Sequence, residues 1–242
     1  MGATAIITGA SGGIGSATAK KMAEKGYSLA LLGNRSANAL QETARICRSC
    51  DVPIHTLSGN LNSGPDASRL MTQAQKLLGH IDCLIHCAGI SHIGLMTDMT
   101  DAQWSDVIGS NLSSAFYCCR SVVPFMVHEK KGRILHISSV WGESGASCEA
   151  AYSASKGGLN AFTKALAKEL APSGIAVNAL SCGLIDTAMN QCLSDEEKQA
   201  LCEEIPAGRM GTPEEVAEMA ALLVEAPDYL TGQVITIDGG WL

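Results

Sequence analysis

The chain has 242 residues, 46% of them hydrophobic and 17% charged, which supplies an ordered core and argues against wholesale disorder. Seventeen Lys and Arg against 24 Asp and Glu leave a formal charge of -7, without the basic surplus of a general nucleic-acid binder. Apolar stretches fall far short of the ~20 residues that span a bilayer, and Met1-Gly2-Ala3-Thr4 has no basic region before an apolar run, so neither a membrane span nor a signal peptide is expected.

Strand-type apolar runs alternate with helical periodicity along the whole length. Thr4–Thr8 predicts a strand and Gly15–Lys25 a helix, with Ile14, Ala17, Thr18 and Met22 near helical spacing. Leu29–Leu32 predicts a second strand, Ala37–Arg48 a helix, Ile54–Leu57 a third strand, Asp66–Leu78 a helix and Ile81–His86 a fourth strand. Nearly continuous apolar strands suit a parallel sheet covered on both faces. Thr100-Asp101-Ala102-Gln103 has capping-box spacing, and a long helix is expected over Asn111–Glu129 with a bend at Pro124. Arg133–Ile137 predicts the fifth strand, and Tyr152–Leu170 a helix stopped by Pro172-Ser173-Gly174. Ile175–Leu180 predicts the sixth strand, Pro213 opens a helix through Glu225, and Val234–Ile237 predicts the last strand. With no linker or low-complexity tract, residues 1–242 read as one domain. The class is α/β: a Rossmann-type, doubly wound, seven-stranded parallel sheet with helices on both faces.

Ten cysteines are scattered, several of them (Cys83, Cys87, Cys118, Cys119) inside apolar segments where a reduced thiol behaves as a small hydrophobe. The one CxxC, Cys47-Arg48-Ser49-Cys50, lacks the second pair or the histidines that would complete a zinc site. No metal site is expected, and a reducing cytoplasm fits this usage best.

The first strand runs into Thr8-Gly9-Ala10-Ser11-Gly12-Gly13-Ile14-Gly15 and then a helix. Glycines let a backbone approach a ligand closely, and a helix N-terminus offers free N–H groups and a positive dipole end to a pyrophosphate. The spacing G-x-x-x-G-x-G departs from the generic G-x-G-x-x-G, so the strand–turn–helix context carries the argument. A second signal is Tyr152-Ser153-Ala154-Ser155-Lys156, whose phenol and ammonium, four residues apart, share one helical face. A tyrosine with its ordinary pKa of about 10 is a poor base at neutral pH, and a neighbouring cation lowers that value. Ser139 ends the fifth strand at the sheet's carboxyl edge, where doubly wound folds bind ligands and a hydroxyl can meet a carbonyl oxygen.

In this order and spacing, TGASGGIG, Asn111, Ser139 and YSASK resemble the short-chain dehydrogenase/reductase family over essentially the whole chain. Asn178, Pro206-Ala207-Gly208-Arg209 and the ending Thr231-Gly232-Gln233…Asp238-Gly239-Gly240 extend the resemblance, which is strongest to bacterial 3-oxoacyl-acyl-carrier-protein reductases. It implies that Tyr152 donates a proton to a carbonyl oxygen as hydride arrives from a nicotinamide. Lys156 would lower the tyrosine pKa and hold the nicotinamide ribose, Ser139 would position the carbonyl, and Asn111 would support a water relaying protons to Lys156. Cofactor contacts are expected from Gly9, Ser11, Gly12, Gly13, Ile14, Gly15, Asn34, Arg35, Ser36, Asn60, Leu61, Cys87, Ala88, Gly89, Tyr152, Lys156, Ile185 and Thr187. The second strand ends in Leu32-Gly33-Asn34-Arg35-Ser36, without the carboxylate that selects NAD and with an Arg that suits a 2′-phosphate, so NADP(H) is expected.

Several positions depart from the family pattern. His86-Cys87-Ala88-Gly89 replaces the usual Asn-Asn-Ala-Gly, Asn60 stands where an Asp commonly contacts adenine, and Cys182 replaces a proline. Ketones are the expected substrates, 3-oxoacyl thioesters first, with acyl carrier protein as a partner. The basic residue that docks a carrier in the similar reductases is Ser173 here, although Lys130, Lys131 and Arg133 keep a basic cluster. The segment Trp141–Glu149 resembles reductases acting on the 5-aminopentanone modification of bacterial elongation factor P, in which Glu143 or Glu149 would pair with a substrate amine. A nucleotide-sensing protein without catalysis is the reading from another class. A homotetramer packed through the two long helices and Gly239-Gly240-Trp241-Leu242, and closure of residues 184–205 over substrate, complete the expectations.

Overall fold

The computed structural model describes residues 2–191 and 194–242. Its strands are β1 (Thr4–Thr8), β2 (Ser28–Gly33), β3 (Ile54–Ser58), β4 (Cys83–His86), β5 (Gly132–Ser139), β6 (Ile175–Cys182) and β7 (Val234–Ile237). They form one seven-stranded parallel sheet in the order β3-β2-β1-β4-β5-β6-β7. The order reverses between β1 and β4, and that switch point opens the crevice in which a ligand can sit.

The helices are α1 (Gly13–Glu24), α2 (Ala37–Arg48), α3 (Gly64–Leu78), α4 (Asp101–Ile108), α5 (Ser114–Glu129), α6 (Ala150–Leu170), α7 (Asp195–Glu204) and α8 (Pro213–Val224). Strand alternation decides which helix covers which face. Ala5 and Ile7 of β1 and Leu29 and Leu31 of β2 pack with Met22 of α1, Leu40 of α2 and Val216 of α8. Their neighbours Ile6, Ala30 and Leu32 face the other way, into a cluster with Leu70 and Met71 of α3, Val122 of α5 and Ala167 of α6. Each such fully buried Ile or Leu contributes ~1.5–3 kcal/mol, so the two clusters hold both helical layers to the sheet.

The expected capping box is present: Thr100 Oγ1 accepts from the Gln103 amide at 3.3 Å, and Gln103 Oε1 accepts from the Thr100 amide at 2.8 Å. Other boundaries differ from the sequence reading. β4 starts at Cys83; before it, the Asp82 amide donates to Thr4 Oγ1 at 3.1 Å and its carboxylate accepts from the Thr4 amide at 2.9 Å, while its carbonyl still accepts from the Arg133 amide at 2.9 Å. α1 starts at Gly13 and α6 at Ala150, which places Tyr152 inside the first turn. The expected helix over 111–129 is a π-helical turn at Gly109–Ser113 followed by α5, which continues through Pro124. α7 has no buried residue and so shows no apolar stripe in the sequence; the Ser194/Glu197 capping box opens it. Part of the segment expected to close over substrate, Cys192 and Leu193, lies outside the described residues, as does Met1. Among the described residues no helix is long and apolar enough to cross a membrane, no cluster of side chains suits a metal ion, and the cysteines are free thiols.

Candidate active site

The carboxyl ends of β1, β4, β5 and β6 open into a cleft of about 600 Å³. Register places the chemistry there: Ser139 of β5 is the ladder partner of Cys182 of β6, and Thr8 of β1 that of His86 of β4. At one end lie Gly9, Ser11, Gly12, Gly13, Ile14 and Gly15, with Asn34, Arg35 and Leu61 beyond them. Cys87, Ala88, Gly89, Ile185 and Thr187 line the middle. Ser139, Trp141, Glu149, Tyr152, Lys156, Met189 and Trp241 form the other end.

The glycine turn is shaped by steric need. Gly9 sits at φ +65, and a Cβ there would lie 2.7 Å from the Ala88 amide nitrogen. That loop is in turn held to β1, because the Ala88 amide donates to Thr8 Oγ1 at 3.2 Å and the Cys87 amide to the Thr8 carbonyl at 3.3 Å. A Cβ on Gly13 would meet Thr187 Cγ2 at 2.9 Å, so the start of α1 directly faces the loop after β6. Gly12 at the N-cap supplies no side-chain capping bond, and the first turn of α1 has no acidic residue. An uncapped helix end beside a glycine cradle fits the pyrophosphate of a dinucleotide. Arg35 is exposed, and the turn after β2 carries no carboxylate.

Two expected cofactor residues lie outside the cleft lining. Ser36 caps α2, accepting from the Ala39 amide at 3.2 Å, and Asn60 turns its Oδ1 to the Asn62 amide at 3.0 Å. Asn111 is also absent from the lining, fully buried in the π-helical turn. Its Oδ1 accepts from the Ile90 amide at 2.8 Å, and its Nδ2 donates to the Ile90 carbonyl and to Ser155 Oγ, both at 2.9 Å. The side chain therefore clamps the loop after β4 to α6. Asn178 is remote as well, tying β6 to the loop before β7 through Leu230 and Gln233.

Tyr152 and Lys156 share one face of α6, with Lys156 Nζ 5.6 Å from the centre of the tyrosine ring. The expected lowering of the Tyr152 pKa by Lys156 is not what the site shows. Burial raises the phenol above its ordinary value, the Ser139 hydroxyl offsets this in part, and the Glu149 charge adds to it. Lys156 is itself pushed down to about 8 by burial, and its ammonium is bound to the Ile137 carbonyl at 2.8 Å. Cys87 and Cys182 give it no anionic support near neutral pH, because burial pushes both thiols up to about 12. The phenol is thus protonated and suited to donate.

Sequence reasoning missed Gly142. It follows β5 in a short 3₁₀ turn, Val140–Gly142, and a Cβ there would lie 2.7 Å from the Lys156 carbonyl carbon and 2.9 Å from the Gly157 nitrogen. The turn rests on the α6 backbone at the lysine itself. Also missed was a buried polar layer under the cleft. His86 Nε2 lies 3.0 Å from Ser114 Oγ, and His136 Nδ1 lies 2.8 Å from Thr163 Oγ1.

The short chain dehydrogenase family model matches residues 3–198. The chain belongs to this family. As a short-chain dehydrogenase it is an oxidoreductase of the alcohol–carbonyl class that works with a nicotinamide cofactor. It is 40% identical to an uncharacterized oxidoreductase, YmfI of Bacillus subtilis, over 100% of this chain and 99% of that one. It is 38% identical to the 3-oxoacyl-acyl-carrier-protein reductase FabG of Aquifex aeolicus, over 99% and 97% of the two chains. The crystal structure of a substituted actinorhodin polyketide ketoreductase with NADPH superposes with a TM-score of 0.93 at 32% identity, covering 99% and 97%. In this short-chain dehydrogenase Ser139, Tyr152 and Lys156 line one cleft.

Proposed function

We propose that this short-chain dehydrogenase is an NADPH-dependent ketone reductase. The observation that carries the reading is one cleft joining an uncapped α1 N-terminus to Ser139, Tyr152 and Lys156. The nicotinamide, when bound, supplies the hydride. Tyr152, held protonated by burial, gives its phenolic proton to the carbonyl oxygen as a general acid. Ser139 orients that oxygen, and Lys156 sets a positive charge beside the ribose and the phenol. Asn111 is a positioning residue that fixes α6 against the loop after β4. Arg35 takes the 2′-phosphate, a role supported by the exposed cation and by the NADPH in the polyketide ketoreductase.

For the substrate, 3-oxoacyl thioesters have the support of the FabG resemblance. Charge favours a second reading, the 5-aminopentanone carried by elongation factor P. Two of the three basic residues that would dock a carrier are already paired: Lys131 with Asp82 at 3.1 Å, and Arg133 with Asp228. They also sit at the amino end of β5, roughly 20 Å from Ser139 at ~3.3 Å per residue and so at the opposite end of the strand from the cleft. Between the two carboxylates left open by the sequence, Glu149 lines the cleft and Glu143 does not. The test is NADPH oxidation with acetoacetyl thioester and with an aminoketone, each beside Tyr152→Phe. Turnover of either, lost in the variant, supports ketone reduction; NADPH bound but never consumed overturns it in favour of a nucleotide sensor. We extend the reading to a homotetramer associating through α5 and α6, supported by the exposed Phe116 and Val127 on α5.

A further inference from the structure

Two tryptophans from distant parts of the chain meet at the Ser139 end of the cleft. Trp141 and Trp241 both line it, half-buried, and their rings pack edge to face with centres 4.9 Å apart. Each is fixed through its backbone. The Trp141 amide donates to Ser139 Oγ at 3.2 Å, which ties the indole to the hydroxyl that orients the carbonyl and leaves the serine O–H to donate. Gly142 beside it packs on the α6 backbone at Lys156. Trp241 follows β7 in a tight hook. The Asp238 carboxylate accepts from the Gly240 and Leu242 amides, both at 2.9 Å, one on each oxygen. Gly239 and Gly240 sit at φ +71 and +84, and a Cβ on Gly239 would lie 2.9 Å from Ile205 Cγ2. The Gly239 carbonyl accepts from the Ala207 amide at 3.1 Å, and the Ile237 carbonyl from the Gly183 amide at 2.9 Å. The hook is thus tied to the loop after β6 and to the segment between α7 and α8, and it delivers its indole to this chain's own cleft.

We propose that Trp241, held against Trp141, is a specificity-determining residue: the indole pair forms an apolar wall beside Ser139 that limits the length of the alkyl arm a ketone can carry on that side of its carbonyl. The inference rests on the reductase reading above, and it concerns the size of the substrate rather than its charge or its carrier. Ser139 and Tyr152 fix the carbonyl oxygen, so an arm cannot slide away from the wall without drawing the oxygen off the acid. A methylene pressed against rings that are themselves braced costs transition-state binding, and one methylene in such a pocket changes kcat/KM by about 10- to 200-fold.

The experiment compares kcat/KM for diethyl ketone and dibutyl ketone, symmetrical so that one arm meets the wall in either orientation, in wild type, Trp241→Ala and Trp241→Phe. Wild type is expected to favour diethyl ketone by about tenfold or more. Trp241→Ala is expected to reduce that preference at least about tenfold, and Trp241→Phe to keep most of it. A purely structural role would lower both values together and keep the ratio, which overturns the proposal, as does a wild-type ratio of one or below. NADPH binding in both variants is expected within about threefold of wild type. A larger loss alongside a changed ratio places Trp241 at the cofactor instead and overturns the wall. A second measurement needs no variant and no turnover: by titration calorimetry, the wild-type complex with NADP⁺ should bind diethyl carbinol more tightly than dibutyl carbinol, although each added CH₂ would otherwise favour binding. Equal or tighter binding of the longer alcohol overturns the proposal. Absence of wild-type turnover with both ketones, with that preference between the alcohols kept, is the separate result that removes the reductase reading itself.

Discussion

Lys156 Nζ donates to the carbonyl of Ile137, at 2.8 Å, from α6 to the strand that ends in Ser139. That bond fixes the cation two residues from the hydroxyl that orients the carbonyl, so β5 and α6 present their polar groups to one point. It also shows why the lysine keeps a charge in a buried place: its ammonium is desolvated but hydrogen-bonded.

Removing the phenolic proton tests the acid. Tyr152→Phe is expected to lower kcat for ketone reduction by about 10²–10⁴, the usual worth of a positioned acid, while NADPH binding stays within about threefold by fluorescence titration. Retention of near wild-type turnover would remove Tyr152 from its role.

Cofactor choice turns on one exposed side chain. Arg35→Glu is expected to raise the Kd for NADPH by about 10- to 100-fold and to change that for NADH little, because only the former carries a 2′-phosphate for the guanidinium to meet. Parallel titrations with the two nucleotides read this directly.

The depressed Lys156 gives a pH signature. Its pKa of about 8 in the free protein means that its charge is complete below that value and lost above it. The kcat/KM for NADPH, which reports the free enzyme, is therefore expected to fall as pH rises through about 8. In Lys156→Arg the cation persists, so that descending limb should move beyond the measurable range.

Acid stability should follow the histidine layer. Burial lowers His86 well below its usual value and pushes His136 down to about 3, so both stay neutral in the folded protein while the unfolded chain takes up protons below ~6.5. Their contribution is complete above that unfolded value and is lost as pH falls toward about 3, at about 1.4 kcal/mol per pH unit for each histidine. Urea unfolding at pH 7 and pH 5 should show the loss, and His136→Gln should remove one histidine's share of it.

Close backbone approach makes Gly142 sensitive without any polar chemistry. Gly142→Ala places a methyl 2.7 Å from the Lys156 carbonyl carbon, which must displace either the 3₁₀ turn or α6. The expected result is a fall in kcat with ketone of at least about tenfold together with a lower Tm; an unchanged kcat would show that the turn moves freely.

Most of the sheet was legible from residues 4–139 and 175–237, because fully buried strands such as Ala5-Ile6-Ile7 read as apolar runs separated by helical periods. The glycine turn and the Tyr152–Lys156 pair were legible for the same local reason, since both are short spacings on one element. What was not legible is contact across elements. Nothing in the sequence shows that Asn60 satisfies its own turn, that Lys131 and Arg133 are spent on Asp82 and Asp228, or that Trp241 reaches Trp141. The sign of the Tyr152 shift was missed because burial, which a sequence does not display, raises the phenol by more than the Ser139 hydroxyl lowers it.

The π-helical turn at Gly109–Ser113 joins α4 and α5 end to end, so residues 101–129 form a single rod with one surplus residue in it. Each α-helical residue advances about 100° around the axis, so that surplus puts the two halves out of phase by the same angle. The rod can then turn α4 toward α6 while α5 lies against α3 and the sheet, with Asn111 at the point of the twist. A single-residue deletion there would make a more regular helix and a worse enzyme, because it would rotate Asn111 away from Ile90 and Ser155 and release both.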